Sequence, residues 1–189
     1  MTFTSSETSA DLRDAQAKAI IDSLIELART SDIKSSSRAA LAELRRAVAD
    51  PLRAAPYVAP YLGEPRYDGK PERLEKWSYI VAGLFAIHRK HSRGVSLGSA
   101  FKQINAKSGS IEPRFLQLLT TDERRLEDLL RHAIRLLAAN DVAIDWYRLL
   151  DDILWWNSDD KRRQHQLARD FYREDKGLGD NNSETEETK

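Results

Sequence analysis

No cysteine occurs anywhere in the sequence, so neither a disulfide nor a thiolate metal ligand is available, and a reducing, cytoplasmic compartment is the natural expectation. Long apolar runs are missing too. The longest, residues 79–87, has nine residues, against the ~20 that a membrane-spanning helix needs. The opening MTFTSSETSADLRD has neither a basic n-region nor an apolar h-region, so no signal peptide is expected. Alternating β patterns are absent, which points to an all-α fold with no β-sheet. Proline is rare but concentrated: Pro51, Pro56, Pro60 and Pro65 are four of the six. No long helix survives that density.

One further absence is local. Residues 76–111 contain no carboxylate, whereas Lys76, Arg89, Lys90, Arg93, Lys102 and Lys107 all fall there. The formal net charge of the chain is zero, so this unevenness is one of arrangement. Two explanations stay open: a face that serves a polyanion, or a basic surface paired with acids elsewhere in the fold. The ends are acidic. Residues 1–11 carry Glu7 and Asp11 without a base, and residues 177–189 carry Asp180, Glu184, Glu186 and Glu187 against Lys189. Without these ends the chain holds 29 basic and 24 acidic residues. The excess is modest for a free-standing DNA-binding domain, so any nucleic-acid contact is expected to be part of a larger assembly.

The 41% hydrophobic and 32% charged composition suits a globular bundle of about seven or eight helices, as one domain or as two small lobes sharing a core. Residues 9–176 are read as this helical domain. Residues 51–70 form a connector and the boundary of an N-terminal lobe. Residues 1–8 and the acidic tail 177–189 are expected to be disordered. The first helix, residues 9–28, places Leu12, Ala15, Ala19, Leu24 and Leu27 on one stripe. Serines near residues 35–37 offer a cap for the second, which turns Leu41, Leu44 and Val48 inward. The strongest pattern is residues 71–91, with Trp77, Val81, Leu84, Phe85 and His88 on its inner face. Ser96, Thr121 and Asp145 are expected caps, and Ser158 is expected to start the last helix. On the helix following Thr121, at about 100° per residue, Arg124, Arg131 and Arg135 fall together opposite the core face. They suit either a phosphate backbone or intrahelical pairs with Glu127 and Asp128.

Catalytic patterns are lacking. His88 and His91 are three residues apart, but a metal site needs roughly three or four convergent ligands, and Arg89, Lys90 and Arg93 would repel a cation. His88 is read as a packing residue, and His132 and His165 as surface residues. The doublets Asp122/Glu123, Glu127/Asp128, Asp151/Asp152 and Asp159/Asp160 point about 100° apart, so they do not face each other for acid–base work. The GVSLG segment (residues 94–98) is too short for a phosphate loop. The four tryptophans are read as core and interface residues. No enzyme, cofactor, metal or small-molecule substrate is expected. Besides polyanion binding, a helical protein-interaction module and a metal-dependent hydrolase on His88 and His91 remain as alternatives.

The order of motifs adds to this reading. A tryptophan-bearing AGLFA helix (residues 82–86) precedes GVSLG, a helix with Lys102, RFLQLL (114–119), LLRHAIRLL (129–137), Asp145-Trp146, Trp155-Trp156 and RDFY (169–172). In this order, over about residues 38–173, the chain resembles the small CasB-type subunit of the type I-E CRISPR surveillance complex, Cascade. The resemblance implies a non-catalytic helical subunit for antiviral defence. It implies as partners the other Cascade subunits, a second copy of itself, the crRNA and the target or displaced DNA strand. It implies no membrane association. Carried over residue by residue, Arg45, Arg46, Lys102, Arg114, Arg131, Arg135, Lys161 and Arg162 match basic positions that would hold nucleic-acid backbone. Thr120 stands where a further basic residue is expected, and the acidic tail is not a family feature.

Overall fold

The structure, a computed structural model, describes residues 5–63 and 73–173. The expected helix start at Pro71, the end of the connector, and the acidic tail lie outside these residues. The described elements are α1 (Ser5–Thr30), α2 (Ser35–Arg46), the single turn α3 (Ala55–Val58), α4 (Arg73–Ile87), α5 (Leu97–Ser108), α6 (Glu112–Leu119), α7 (Glu123–Ala139), α8 (Trp146–Leu154) and α9 (Arg162–Tyr172). The fold is all-α: among the described residues the only β pairing is an isolated bridge between His91 and Ile144. The proline-rich stretch forms 3₁₀ turns at Pro51–Ala54 and Ala59–Tyr61 on either side of α3, as expected where X-Pro steps interrupt the helical ladder.

The middle of the fold is α4. Eleven of its fifteen residues are buried, among them Leu74, Trp77, Val81, Leu84 and Phe85. A helix that is apolar all round belongs in an interior, and α4 touches α1, α2, α7 and α8. Phe85 meets Trp146 of α8 edge-on at 5.3 Å. One continuous cluster of buried apolar side chains runs from Ile20 and Leu44 through Trp77 and Phe85 to Leu150, Leu167 and Phe171. On the far side α5 packs closely on α9, with Phe101, Phe115 and Phe171 in sequence at 5.3 and 4.4 Å.

The GVSLG segment is explained by this packing. Gly94 takes φ +80°, a left-handed conformation costly for side-chain-bearing residues, and its N–H donates to Asp145 Oδ2 at 2.8 Å. At Gly98 a Cβ would lie 2.2 Å from the carbonyl oxygen of Leu167, so only glycine permits this approach of α5 to α9. Asp145 also caps α8, accepting from Tyr147 N and Arg148 N. Ser96 caps α5 as expected.

Several sequence expectations shift. Helix α1 starts at Ser5, earlier than residue 9. Along it, Leu12 is 59% exposed and Ala15 is exposed; the buried stripe is Ile20, Ile21 and Leu24. Leu12 and Ala15 thus lie on the solvent side of the helix, outside the stripe that meets the core. The cap of α2 is Lys34 without a side-chain bond, and Ser37 is instead buried against Thr30 Oγ1 at 2.8 Å. The cap of α7 is Asp122 rather than Thr121, its carboxylate accepting from Arg124 N and Arg125 N. A carboxylate at the positive helix end outcompetes a hydroxyl. Helix α4 stops at Ile87 instead of His91, because residues beyond it pair with the segment before α8: Ser92 N donates to Ile144 O, and Trp146 Nε1 to Lys90 O. Helix α9 begins at Arg162, not Ser158. Lys161 before it adopts φ +45°, and Asp160 Oδ1 accepts from Arg162 N.

Candidate nucleic-acid interface

The acid-free run of residues 76–111 is not acid-free in space. Lys76 lies 3.7 Å from Glu123, and Lys90 lies 2.5 Å from Asp141. Arg93 sits over the ring of Tyr147 at 4.4 Å, and Arg89 bonds Ser31 Oγ. Lys76 and Lys90 follow the second of the two explanations left open by the sequence, pairing with acids elsewhere, while Arg89 and Arg93 are held by a hydroxyl and an aromatic ring. His88 is buried with Nε2 on Val142 O at 2.7 Å. His91 Nδ1 faces Trp146 N at 3.4 Å. The two imidazoles therefore serve different backbone partners.

The arginine stripe of α7 divides. Arg131 donates to Val48 O of the segment after α2 at 2.8 Å and to Glu127 at 2.9 Å, with Asp128 at 3.5 Å. Intrahelical pairing plus one tertiary bond accounts for it. Arg124 belongs to a surface recess with Lys76, Asp122, Glu123 and Asn157 at the start of α7. Arg135 instead lines a groove of about 710 Å³ between α6 and α7, together with Arg114, Arg125 and His132. Its floor is apolar: Phe101, Leu118, Leu129, Ala133 and Leu136. Arg114, Arg125 and Arg135 are exposed and make no ion pair among the described residues. The one acid on this wall among the described residues, Asp128, lies 3.5 Å from Arg131. Arg125 and His132 were missed in the sequence; a helical net drawn from Arg114's groove partner Arg135 back to positions i−3 and i−10 would have found them.

The remaining candidates lie elsewhere. Arg45 Nε donates to Ala86 O at 3.2 Å, and Arg46 pairs with Glu43 at 2.7 Å. Lys102 Nζ donates to Arg173 O and lines a smaller recess with Asp170. Lys161 is exposed. Arg162 pairs with Asp160 at 3.2 Å, in a groove of about 590 Å³ between α1 and the α8–α9 region. That groove also holds Trp155, 43% exposed, with the Arg13 guanidinium 4.7 Å from its ring centre. Its neighbour Trp156 is buried, with Nε1 donating to Thr121 O. Of the eight expected positions, then, Arg114 and Arg135 share a groove, and the other six are distributed around the molecule.

Residues 40–172 match the family model of CRISPR-associated protein Cse2. The chain belongs to the CRISPR-associated Cse2 family. It is 38% identical over 139 residues to the Cse2 protein of Thermus thermophilus, covering 71% of this chain and 79% of that one. A crystal structure of CasB from Thermus thermophilus is similar to it with a TM-score of 0.64 and 35% identity, over 79% of this chain and 95% of that chain. The same fold recurs in a chain of a CRISPR RNA-guided surveillance complex, at 24% identity and a TM-score of 0.65, over 86% and 93% of the two chains. The Cse2 match begins after α1 and ends at Tyr172, so both groove-forming helices α6 and α7 lie inside it and the acidic tail lies outside.

Proposed function

We propose that this Cse2-family chain is a non-catalytic subunit of the Cascade surveillance complex in the cytoplasm, and that its α6–α7 groove holds the phosphate backbone of a nucleic-acid strand. One observation carries the reading: three arginines from two helices line one groove without a carboxylate partner among the described residues. Cations left unpaired on a protein surface are the ones whose counterions a polyanion can release. Single-strand contacts need charge and no base recognition, which fits a groove with no recognition motif. Exchange of a DNA duplex for an RNA–DNA hybrid is nearly balanced in energy, so a few backbone contacts decide whether the displaced strand stays displaced. The other Cascade subunits, a second copy of this chain and the crRNA supply the remaining affinity. Arg45, Arg46, Lys102, Lys161 and Arg162 stand in this proposal as outlying contacts, reached only along a path that leaves the groove, and Arg131, held by Val48 O and Glu127, is left out of it.

The test is the salt dependence of binding to a single-stranded homopolymer of deoxythymidine. Arg114→Ala with Arg135→Ala should lower the log–log slope by about 1.4, at ~0.7 for each phosphate no longer neutralised. The weakening should be equal for other strand sequences. An unchanged slope would assign the groove to protein contacts, as in a purely protein-binding helical module.

A further inference from the structure

The three groove arginines lack acidic partners among the described residues, yet the chain as a whole is neutral. The balancing charge follows later in the sequence. Residues 174–189 contain six acids against Lys176 and Lys189, and they follow the last position of the Cse2 match. The chain leaves α9 at the first turn of α6: Tyr172 Oη donates to Glu112 Oε1 at 2.7 Å, two residues before the groove residue Arg114. Arg173 O accepts from Lys102, the neighbour of the groove residue Phe101. Sixteen residues follow Arg173, and a flexible chain of that length spans roughly 20–24 Å. Helix α6, with eight residues, is only roughly 12 Å long. A chain of this length attached at the first turn of α6 is long enough to run the length of that helix.

We propose that residues 174–189 are an intramolecular competitor for the α6–α7 groove, covering its arginines until a nucleic-acid strand displaces them. The proposal rests on the reading of that groove as a backbone site. Tethering sets the local concentration of these carboxylates in the millimolar range. Their hold is therefore weak against a strand presented within an assembly and effective against stray nucleic acid. Contacts of this kind are purely Coulombic, so they fade as salt shortens the screening length. Zero net charge in the sequence then reflects two opposed surfaces rather than a neutral one.

The test uses the full chain with Asp180→Asn, Glu184→Gln, Glu186→Gln and Glu187→Gln, and a fluorescent deoxythymidine homopolymer as the probe. At low salt the variant should bind at least about threefold tighter than the wild type, given the millimolar tether. The gap should close near 0.5 M salt, where screening acts within a few ångströms. The decisive arm repeats the comparison on the Arg114→Ala, Arg135→Ala background, where the gain should vanish because the competed site is gone. An equal gain on both backgrounds reports only a changed overall field and overturns the competitor. No gain, where the arginine substitutions themselves weaken binding, overturns the competitor and leaves the groove standing. Arginine substitutions without effect overturn the groove itself.

Discussion

Trp77 and Glu123, 46 positions apart, are joined by a hydrogen bond of 3.0 Å from the indole Nε1 to Oε1. The other oxygen of Glu123 accepts from Arg73 at 2.5 Å and from Asn157. Arg73 in turn donates to the carbonyls of Ile153 and Leu154. A single partly buried carboxylate therefore ties α4, α7 and the end of α8 together.

Burial would raise the pKa of Glu123, but the hydrogen bonds from Arg73 and Trp77 prevail and hold it below the usual carboxylate range. A depressed folded-state pKa gives stability that is present above the unfolded value of 4.5 and is lost as pH falls through the folded value. Glu123→Gln should cost roughly 1.5–3 kcal/mol at pH 7, the range for hydrogen bonds to charged groups. The difference from wild type should shrink below pH 4.5. Urea unfolding at both ends of that range measures it, and a constant gap would remove the charge from the account.

Asp152 behaves oppositely. It is 2% exposed, its Oδ2 has no hydrogen-bond partner among the described residues, and burial raises its pKa to about 7 in spite of Arg148 and Arg163. The advantage of folding around the neutral acid is complete below 3.8 and is lost as pH rises toward about 7. Asp152→Asn should therefore be more stable than wild type at pH 8, by a few kcal/mol at the ~1.4 kcal/mol that each unit represents. Near pH 4 the two should be close. Thermal unfolding across this window would show the curves converging; parallel curves would refute the titration.

Gly98→Ala places a methyl group 2.2 Å from Leu167 O, a backbone atom that cannot swing away. Overpacking of this kind costs about 1–3 kcal/mol, with the loss concentrated where α5 meets α9. Hydrogen exchange of α9 amides should accelerate more than that of α4 amides, and uniform acceleration would contradict a local effect.

Arg131 and Arg135 are one helical turn apart and should respond in opposite ways. Arg131→Ala removes the bond to Val48 O and the pair with Glu127 and should destabilise by about 1–2 kcal/mol, with the salt slope of strand binding unchanged. Arg135→Ala should alter stability by less than about 0.5 kcal/mol and lower the slope by ~0.7. Paired chemical unfolding and binding titrations separate the two, and a lowered slope for Arg131 would return it to the interface.

Element type was legible in the sequence because the apolar spacing around Trp77, Leu126 and Leu149 is strongly helical, and those residues are buried. Boundaries were less so. Helix α4 ends where Ile144 captures the chain at residues 90–92, an interaction from a distant part of the chain that no local pattern encodes. The site was half legible for the same reason. Exposure of Arg135 follows from helical phase, but the capture of Arg131 by Val48 O depends on where the end of α2 comes to lie. Between the two explanations of the acid-free run only spatial distance decides: Glu123 and Asp141 lie outside it in sequence yet meet Lys76 and Lys90.

The adjacent tryptophans have an optical consequence. Trp77, Trp146 and Trp156 are at most 3% exposed, while Trp155 is 43% exposed. Collisional quenchers such as iodide or acrylamide should therefore reach one indole of four, and the long-wavelength edge of the emission belongs to Trp155. Any partner that settles over the groove between α1 and the start of α9 will shift that edge to the blue and shield it from the quencher. The chain carries its own reporter for assembly, on the face away from the buried core and requiring no label.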